Sequence, residues 1–327
     1  NSISSEITPD FSDVYGQKTA RRALEVAAAG GHNVLLVGSP GAGKSMLAKR
    51  LPTILPDMTF EEAIESSSIY SVAGALNAEV PLVTERPFRS PHHTTTDIAL
   101  SGGGTKAKPG EISLAHNGVL FLDELPLFSR AAIETLRQPL EDGCVTVSRN
   151  SVTATYPGSI MLVGAMNPCP CGFLYDPIKD CTCTDIAKKH YLSRISGPLL
   201  DRIDIHVLVD PLDCSVLVND VSEKPESSAE IKLRVNAARA IQTKRFSGSG
   251  ILCNAQMTPR MVRKYCTLDP AAKNMLLTAF DKLHFSARAN DKILRTARTI
   301  ADLDQSEIIH ASHLAEALQY RTMDRQT

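Results

Sequence analysis

The stretch Gly38-Ser39-Pro40-Gly41-Ala42-Gly43-Lys44-Ser45 matches the phosphate-binding loop pattern G-x-x-x-x-G-K-[ST] in full. Residues 33–37 (NVLLV) come directly before it and predict a buried strand, and residues 46–51 (MLAKRL) predict a helix that ends at Pro52. The glycines therefore lie on a strand-to-helix turn, where backbone N–H groups and the helix N-terminus can bind phosphate oxygens. The predicted ligand is a nucleoside triphosphate.

Two side chains of this loop have predicted chemical roles. Lys44 is expected to reach the β- and γ-phosphates, and the hydroxyl of Ser45 is expected to ligate Mg²⁺. The alternative is a glycine-rich turn that carries a lysine by accident. The agreement of strand, loop, Lys-Ser pair and helix disfavours that alternative.

Polar residues follow two further apolar runs. Asp123 and Glu124 come directly after residues 119–122 (VLFL), and Asn167 follows residues 160–166 (IMLVGAM). Asp123 would hold Mg²⁺ through water, Glu124 would act as general base on the attacking water, and Asn167 would orient that water. In an open α/β sheet, ligands bind outside the carboxyl ends of the strands, so we expect these residues to face the phosphate-binding loop.

These motifs in this order resemble AAA+ ATPases, and the segments between them resemble the magnesium-chelatase-like ComM/YifB proteins. The segments are residues 87–93 (PFRSPHH), 100–104 (LSGGG), 109–118 (PGEISLAHNG), 166–172 (MNPCPCG) and 195–204 (ISGPLLDRID). The resemblance implies an α/β fold with a parallel-sheet core, a β-hairpin insertion and a C-terminal helical lid. It also implies a ring-forming, hexameric motor whose ATPase module follows a Lon-protease-like domain, and the abrupt start at Asn1 suggests that such a domain precedes this chain.

The resemblance assigns further nucleotide contacts. Asn167 matches the sensor-1 residue, Arg288 the sensor-2 arginine, and Arg202 the arginine finger that acts on the nucleotide of a neighbouring subunit. Arg194 is a second candidate for the finger, which spacing does not exclude. Tyr15 and Gly16, in residues 14–17 (VYGQ), match the segment that packs near adenine.

Four of the eight cysteines lie in one segment, residues 169–183, which we name the cysteine loop. Cys169, Cys171, Cys181 and Cys183 form two C-x-C pairs, and four thiolates can close a tetrahedral, structural zinc site. His190 could replace one ligand. A redox pair or four uninvolved thiols remain alternatives, since the spacing is tighter than the usual C-x₂-C. The other cysteines are isolated and are expected to be small buried side chains.

Two polar segments are candidates for contact with a nucleic acid. Residues 101–108 (SGGGTKAK) read as a flexible loop with Lys106 and Lys108, and residues 144–155 predict a hairpin with Arg149 at its tip. These cations could grip DNA phosphates without reading sequence. The alternative is that both segments are solvated connections. His92 and His93, with no third ligand nearby in sequence, are expected to pack or bond locally.

Composition and charge give the domain organisation. A chain of 327 residues with 43% hydrophobic content has room for two domains. Its net charge is −1, but residues 231–327 carry 16 Lys and Arg against 8 Asp and Glu. We predict a core over 1–212, a polar linker over 213–229 and a helical lid over 230–327. The expected helix starts are Ser228, Thr258-Pro259, Asp269-Pro270, Ser286 and Ser312.

The predicted function is ATP-driven translocation or branch migration on DNA, as the resemblance to ComM implies. One alternative is a magnesium-chelatase-like motor for metal insertion, and another is a protein-remodelling ATPase. No run approaches eighteen apolar residues and no apolar leader is present, so a cytoplasmic protein without membrane contact is expected.

Overall fold

The computed structural model describes residues 9–76, 82–104, 107–149, 152–211, 225–283 and 286–321. Its strands are β1 (Val34–Val37), β2 (Phe88–Arg89), β3 (Gly102–Gly103), β4 (Lys108–Pro109), β5 (Val119–Leu122), β6 (Cys144–Arg149), β7 (Val152–Pro157), β8 (Met161–Met166) and β9 (Ile205–Leu208). Five of them form a central sheet in the order β2-β5-β8-β1-β9, with every neighbouring pair parallel. The expected α/β fold with a parallel-sheet core is confirmed.

The helices surround this sheet. They are α1 (Lys18–Gly30), α2 (Lys44–Arg50), α3 (Phe60–Ala73), α4 (Asp97–Ser101), α5 (Glu111–Leu114), α6 (Arg130–Glu134), α7 (Arg137–Asp142), α8 (Asp185–Leu192), α9 (Gly197–Leu200), α10 (Ser228–Arg245), α11 (Pro259–Tyr265), α12 (Pro270–Leu283), α13 (Ala287–Leu303) and α14 (Ala311–Gln319). Short 3-10 helices cover Phe11–Asp13, Leu51–Ile54, Leu125–Leu127 and Asn254–Gln256. In the ranges described above, no helix combines the length and apolar character needed to cross a membrane.

Both faces of the central sheet are covered, which explains the continuous apolar runs in its strands. Along β1, Val34 and Leu36 face one buried apolar cluster, and Leu35 and Val37 face another. The first cluster includes residues of α1, α2 and α10–α14. The second includes residues of α4, α5, α6, α9 and β6. The alternation follows from the two-residue period of a strand.

Two antiparallel hairpins project from the second face. The predicted hairpin is present, with Cys144 paired to Pro157 and Arg149 to Val152, and its turn residues 150–151 lie outside the described residues. The expectation of a flexible loop at 101–108 is wrong in part, because β3 and β4 pair across it. Gly102 makes this pairing possible: its φ is +104°, and a Cβ there would lie 2.5 Å from the carbonyl oxygen of Lys108.

The helix boundaries differ from the sequence expectations at three points. The helix after the phosphate-binding loop ends at Arg50, and the chain continues through Pro52 as a 3-10 helix, because proline is tolerated in a first turn. Ser227 caps α10, so Ser228 is its first helical residue. His310 caps α14 in place of the expected Ser312.

The other predicted starts agree with the structure. Thr258 and Ser286 cap α11 and α13, and α12 begins at Pro270. Most of the predicted linker, its residues 213–224, lies outside the described residues.

The helical C-terminal region packs on the core through α1. Five of the nine buried residues of α1 are alanines and one is glycine, and this helix contacts both α10 and α13. Gly30 ends this helix where space is tightest, since a Cβ there would lie 2.3 Å from His32 Nε2 and 2.5 Å from Thr299 Oγ1. Small residues on α1 thus bring the start of β1 against α13.

Candidate nucleotide site and cysteine cluster

The phosphate-binding loop connects β1 to α2 at the carboxyl edge of the sheet. Gly41 and Gly43 have φ values of +80° and +91°, a region that side chains rarely adopt. Gly38 approaches the backbone of Val209 so closely that a Cβ would lie 2.3 Å from its carbonyl oxygen. These positions require glycine for the loop to turn back around a phosphate.

Lys44 lies inside this loop. Its ammonium donates hydrogen bonds to the carbonyl oxygens of Gly38 at 2.7 Å and Ser39 at 2.9 Å, and to Asn167 Oδ1 at 3.1 Å. Burial lowers the pKa of Lys44, while the charges of Asp123 and Glu124 oppose that shift. The ammonium is held at the place where the predicted phosphates would lie.

The acidic pair follows β5, next to the loop. The hydroxyl of Ser45 donates to Asp123 Oδ2 at 2.5 Å. Glu124 adopts a left-handed conformation, with φ +51° and ψ +46°, which is uncommon for a glutamate, and its N–H donates to Asp123 Oδ1 at 2.9 Å. A hydroxyl and a carboxylate oxygen side by side suit Mg²⁺, which prefers oxygen ligands.

His93 is a neighbour of Glu124 that the sequence did not indicate. His93 Nδ1 lies 3.4 Å from Glu124 Oε2, and the Glu124 side chain is 56% exposed. The His92 ring lies against the His93 ring, with centroids 4.0 Å apart and the planes tilted by 36°, and His92 Nδ1 lies 2.9 Å from Thr94 Oγ1. The expectation of local bonding holds for His92, whereas His93 reaches a different element.

These groups line one cavity of about 820 Å³. Among its lining residues are Pro40, Gly41, Gly43, Lys44, Ser45, His92, His93, Asp123, Glu124, Asn167, Pro170 and Tyr191. Partial burial raises the pKa of Tyr191 to about 12, and the nearby backbone of Asn167 opposes that shift. The structure thus brings together the loop, the acidic pair and Asn167 at one sheet edge.

Other candidate residues lie away from this cavity within the chain. Arg202 contacts the carbonyl oxygen of Pro198 at 2.6 Å and the carboxylate of Glu141, and it lines a second cavity of about 570 Å³. Arg194 and Arg288 are exposed and line neither cavity. Their predicted roles stay predictions.

The predicted adenine segment, residues 14–17, contacts the phosphate-binding loop through Gln17. Tyr15 is 40% exposed, and Gly16 has φ +64°. Gln17, the next residue, donates from its side chain to the carbonyl oxygen of Ala42 at 3.3 Å. The segment is therefore joined to the phosphate-binding loop through a residue beside the two candidates.

The four cysteines of the cysteine loop converge. Their sulfur atoms all lie within 4.8 Å of one another, with Cys169 and Cys181 at 3.7 Å and Cys171 and Cys181 at 3.6 Å. The backbone N–H of Phe173 lowers the pKa of Cys171 to about 6, whereas burial raises that of Cys169 to about 12. The cluster could hold a metal ion.

The candidate DNA contacts are only partly visible. Lys108 is exposed, and its ammonium lies 3.4 Å from the carbonyl oxygen of Ala73. Lys106 lies outside the described residues. Arg149 is the last residue of β6, and its side chain also lies outside the described part of the chain.

Comparison with known proteins adds a family to this geometry. The model for magnesium chelatase subunit ChlI matches residues 10–217, and the model for the ChlI C-terminal region matches residues 225–321. The chain belongs to the magnesium-chelatase-like family of ComM and YifB. The resemblance stated from the motifs is thereby confirmed.

Individual relatives extend the match over nearly the whole chain. The protein YifB of Escherichia coli (strain K12) is 45% identical over 325 residues, which are 99% of this chain and 63% of YifB. Competence protein ComM of Haemophilus influenzae is 45% identical over 324 residues, covering 99% of this chain and 62% of ComM. The magnesium-chelatase 67 kDa subunit of Chlorobaculum parvum is 31% identical over 163 residues, 48% of this chain and 23% of that protein. The chain thus spans about three fifths of the length of YifB and ComM.

Proposed function

We propose that this chain hydrolyses ATP as one subunit of a ring that moves DNA. The proposal of ATP hydrolysis rests on the hydrogen bond of 2.5 Å between the Ser45 hydroxyl and the Asp123 carboxylate. This bond lies in the cavity that Lys44, Glu124 and Asn167 also line. Residues from three separate segments line that cavity. Such an arrangement suits phosphoryl transfer, because catalysis of that reaction consists mainly of positioning and electrostatic stabilisation.

The roles of the residues follow from their places. Ser45 and Asp123 would hold Mg²⁺, which neutralises phosphate charge when bound. Lys44 would exchange its bonds to the loop carbonyls for bonds to the β- and γ-phosphates. Glu124 would take a proton from the attacking water, which Asn167 would orient.

Arg202 is proposed to act on a neighbouring subunit. Glu141 and Pro198 hold Arg202 at a different cavity from the one that Lys44 lines. Arg202 therefore does not reach the proposed nucleotide site of the same chain. A cation that completes the site of another subunit would make the ring the active unit. Arg288, near the start of α13, is proposed to approach the nucleotide when the lid changes its angle to the core.

Mixed rings test this assignment. Arg202→Ala and Glu124→Gln should each be inactive alone, while a mixture should recover activity, because Glu124→Gln subunits supply Arg202 to intact sites. Arg194→Ala tests the second candidate for the finger. Glu141→Gln is the control for the alternative that Arg202 only forms a structural ion pair. If Arg202→Ala is fully active as a homogeneous ring, the assignment is wrong.

The DNA half is supported by the resemblance, by the basic charge of residues 231–327 and by the exposure of Lys108. One relative is named a competence protein. We propose that Lys106, Lys108 and Arg149 contact DNA phosphates in the centre of the ring. Charge-based contact of this kind weakens steeply with added salt.

The test is the steady-state ATPase rate with and without single-stranded and branched DNA, at low and moderate salt. A several-fold stimulation that falls with salt, and that is lost in the triple variant Lys106→Ala/Lys108→Ala/Arg149→Ala, supports the proposal. Lys189→Ala, an exposed charge change on α8 outside the basic C-terminal region, serves as control. A rate indifferent to DNA would exclude the DNA motor and leave the ATPase intact.

A chelatase-type motor is the second candidate, because a magnesium-chelatase subunit matches 48% of this chain. In that case the ATPase would respond to a chelatase partner and not to DNA. Stimulation by a protein client alone would indicate a protein-remodelling role.

Zinc is the proposed metal of the cysteine cluster. Tetrahedral Zn²⁺ with Zn–S bonds of about 2.3 Å places sulfurs about 3.8 Å apart, close to the 3.6 and 3.7 Å observed. Four protein ligands leave no open position, so the role would be structural. Metal analysis should find one zinc per chain, retained in Cys144→Ser and lost in Cys181→Ser/Cys183→Ser.

A further inference from the structure

The cysteine loop is built into the wall of the nucleotide cavity. It begins two residues after Asn167, and Pro170 lines the cavity. It ends just before α8, whose Tyr191 also lines the cavity and lies near the backbone of Asn167. Both ends of the loop therefore lie next to the strand end that carries Asn167.

The middle of the loop touches the phosphate-binding loop directly. Gly172 has φ +87° and lies against Pro40, such that a Cβ would be 2.5 Å from Pro40 Cδ. Four residues on, the Asp176 carboxylate accepts the backbone N–H groups of Ile178 and Lys179 at 3.0 and 2.9 Å, and it lies close enough to the Ser39 side chain for Ser39 to help lower its pKa. Two adjacent residues of the phosphate-binding loop thus rest on the cysteine loop.

Burial does little to hold the cysteine loop in this position. From residue 169 to residue 190, only Cys169 and Gly172 are buried, and α8 has no buried residue. Segments with so few buried contacts open at little free-energy cost. Metal–sulfur bonds can supply the missing stability, because metal binding free energy becomes folding free energy at such sites.

We infer that metal binding in the cysteine loop sets the nucleotide affinity of the neighbouring cavity. With the metal bound, the loop keeps Pro40 and Ser39 in the phosphate-binding conformation. Without it, the loop detaches, and the nucleotide must order both segments on binding. The inference rests on the proposed zinc and nucleotide sites, and it adds regulation of one by the other.

The experiment measures zinc content and the affinity for a fluorescent ATP analogue in the same samples at constant Mg²⁺. Zinc is removed from the full chain with the zinc-selective chelator TPEN and then restored. We expect nucleotide affinity to fall about 10-fold on removal, since preorganisation is lost, and to recover with zinc. Circular dichroism on each sample verifies that the fold persists.

Variants that keep the four thiols separate coupling from metal binding. Gly172→Ala should bind zinc normally but bind nucleotide weakly whether or not zinc is present, because the new Cβ displaces Pro40. Asp176→Ala should show a smaller loss of the same kind. Asp180→Ala, an exposed carboxylate in the same loop, is the matched control and should behave as wild type.

The outcomes distinguish the proposals. Absence of zinc from the protein overturns the metal site and the inference together. Zinc that is present, with nucleotide affinity unchanged on its removal, overturns the inference alone. No nucleotide binding by the zinc-loaded wild type overturns the proposed nucleotide site instead.

Discussion

The polar side chains at the two ends of the central sheet differ in their exposure and in their hydrogen-bond partners. At the carboxyl edge, which we name the nucleotide edge, Glu124 is 56% exposed, and Lys44 bonds to the backbone of its own loop. At the amino ends of β1 and β9, His32 is fully buried, with Nδ1 3.2 Å from Asp204 Oδ2 and Nε2 2.8 Å from Thr299 Oγ1. We name this second group, which joins core to α13, the lid joint.

This difference distinguishes residues with a proposed role in ligand binding, at the nucleotide edge, from residues that stabilise the fold, at the lid joint. The nucleotide edge combines a lysine that borders an open cavity with a largely exposed glutamate in a left-handed backbone conformation, and such strained residues cluster at functional sites. The lid joint has its partners within the chain, and such buried, satisfied networks give rigidity. Substitutions at the two ends should therefore change different measurements.

Lys44→Ala should produce the largest effect and change only function. Loss of one group that stabilises phosphoryl charge lowers turnover by about 100-fold or more. The melting temperature should not fall, because burial lowers the pKa of Lys44 and the ammonium gains little from its place before nucleotide binds. Lys189→Ala on α8 is the control, and a large drop in melting temperature for Lys44→Ala would break the comparison.

His32→Phe should change stability first. The phenyl ring fills much of the same space but removes the hydrogen-bond partner of the Asp204 carboxylate, while Thr299 keeps its bonds to Asn254 and to the carbonyl oxygen of Arg295. Leaving one such buried group unpaired costs about 1–3 kcal/mol, so denaturant unfolding should show a loss of about 2 kcal/mol. His190→Phe, at an exposed position, should be neutral. If the stability of His32→Phe is unchanged, the lid joint does not stabilise the fold and the comparison fails at that end of the sheet.

His206 in β9, two residues after Asp204, should give the protein a pH-dependent stability. Its two ring nitrogens are buried without a hydrogen-bond partner among the described residues. Burial, and then the charges of Arg321 and Lys292, lower its pKa to about 3, with Asp204 opposing. Below pH 6.5 the unfolded chain binds a proton that the folded chain refuses, so stability should fall as pH falls towards 3.

The slope from this one group approaches about 1.4 kcal/mol per pH unit. Between pH 6.5 and 4.5, the free energy of unfolding should fall less steeply with decreasing pH in His206→Phe than in wild type. The difference in slope should be up to that amount. Equal slopes would show that His206 titrates normally in the folded protein.

His93→Asn should produce the smallest effect, at the nucleotide edge. A polar contact worth about 1 kcal/mol, lost from the proposed base Glu124, should change kcat about fivefold and leave nucleotide affinity unchanged. His92→Asn is the matched control, since His92 bonds locally to Thr94. An equal effect in both variants, or a changed affinity, would assign His93 a structural role.

Much of the nucleotide edge was predictable because its motifs are local. The phosphate-binding loop, the acidic pair and Asn167 each follow an apolar run, and parallel strands bring their carboxyl ends together. Single residues were less predictable. Ser312 had the right chemistry for a helix cap, but His310 occupies that position with a ring that also bonds to Asp269 at 2.8 Å, a contact across 41 residues.

By itself the sequence determined the family, the α/β core, the order of the nucleotide motifs and the four-cysteine set, since each is written in short segments with strong local preferences. Only the tertiary structure decided that His93 reaches Glu124, that Arg202 lies away from its own nucleotide cavity, that Gly172 rests on Pro40 and that His32 joins Asp204 to Thr299. The physical reason is that these contacts join segments 31 to 267 residues apart, and the packing of helices on the sheet, which no local pattern encodes, sets the distances between them.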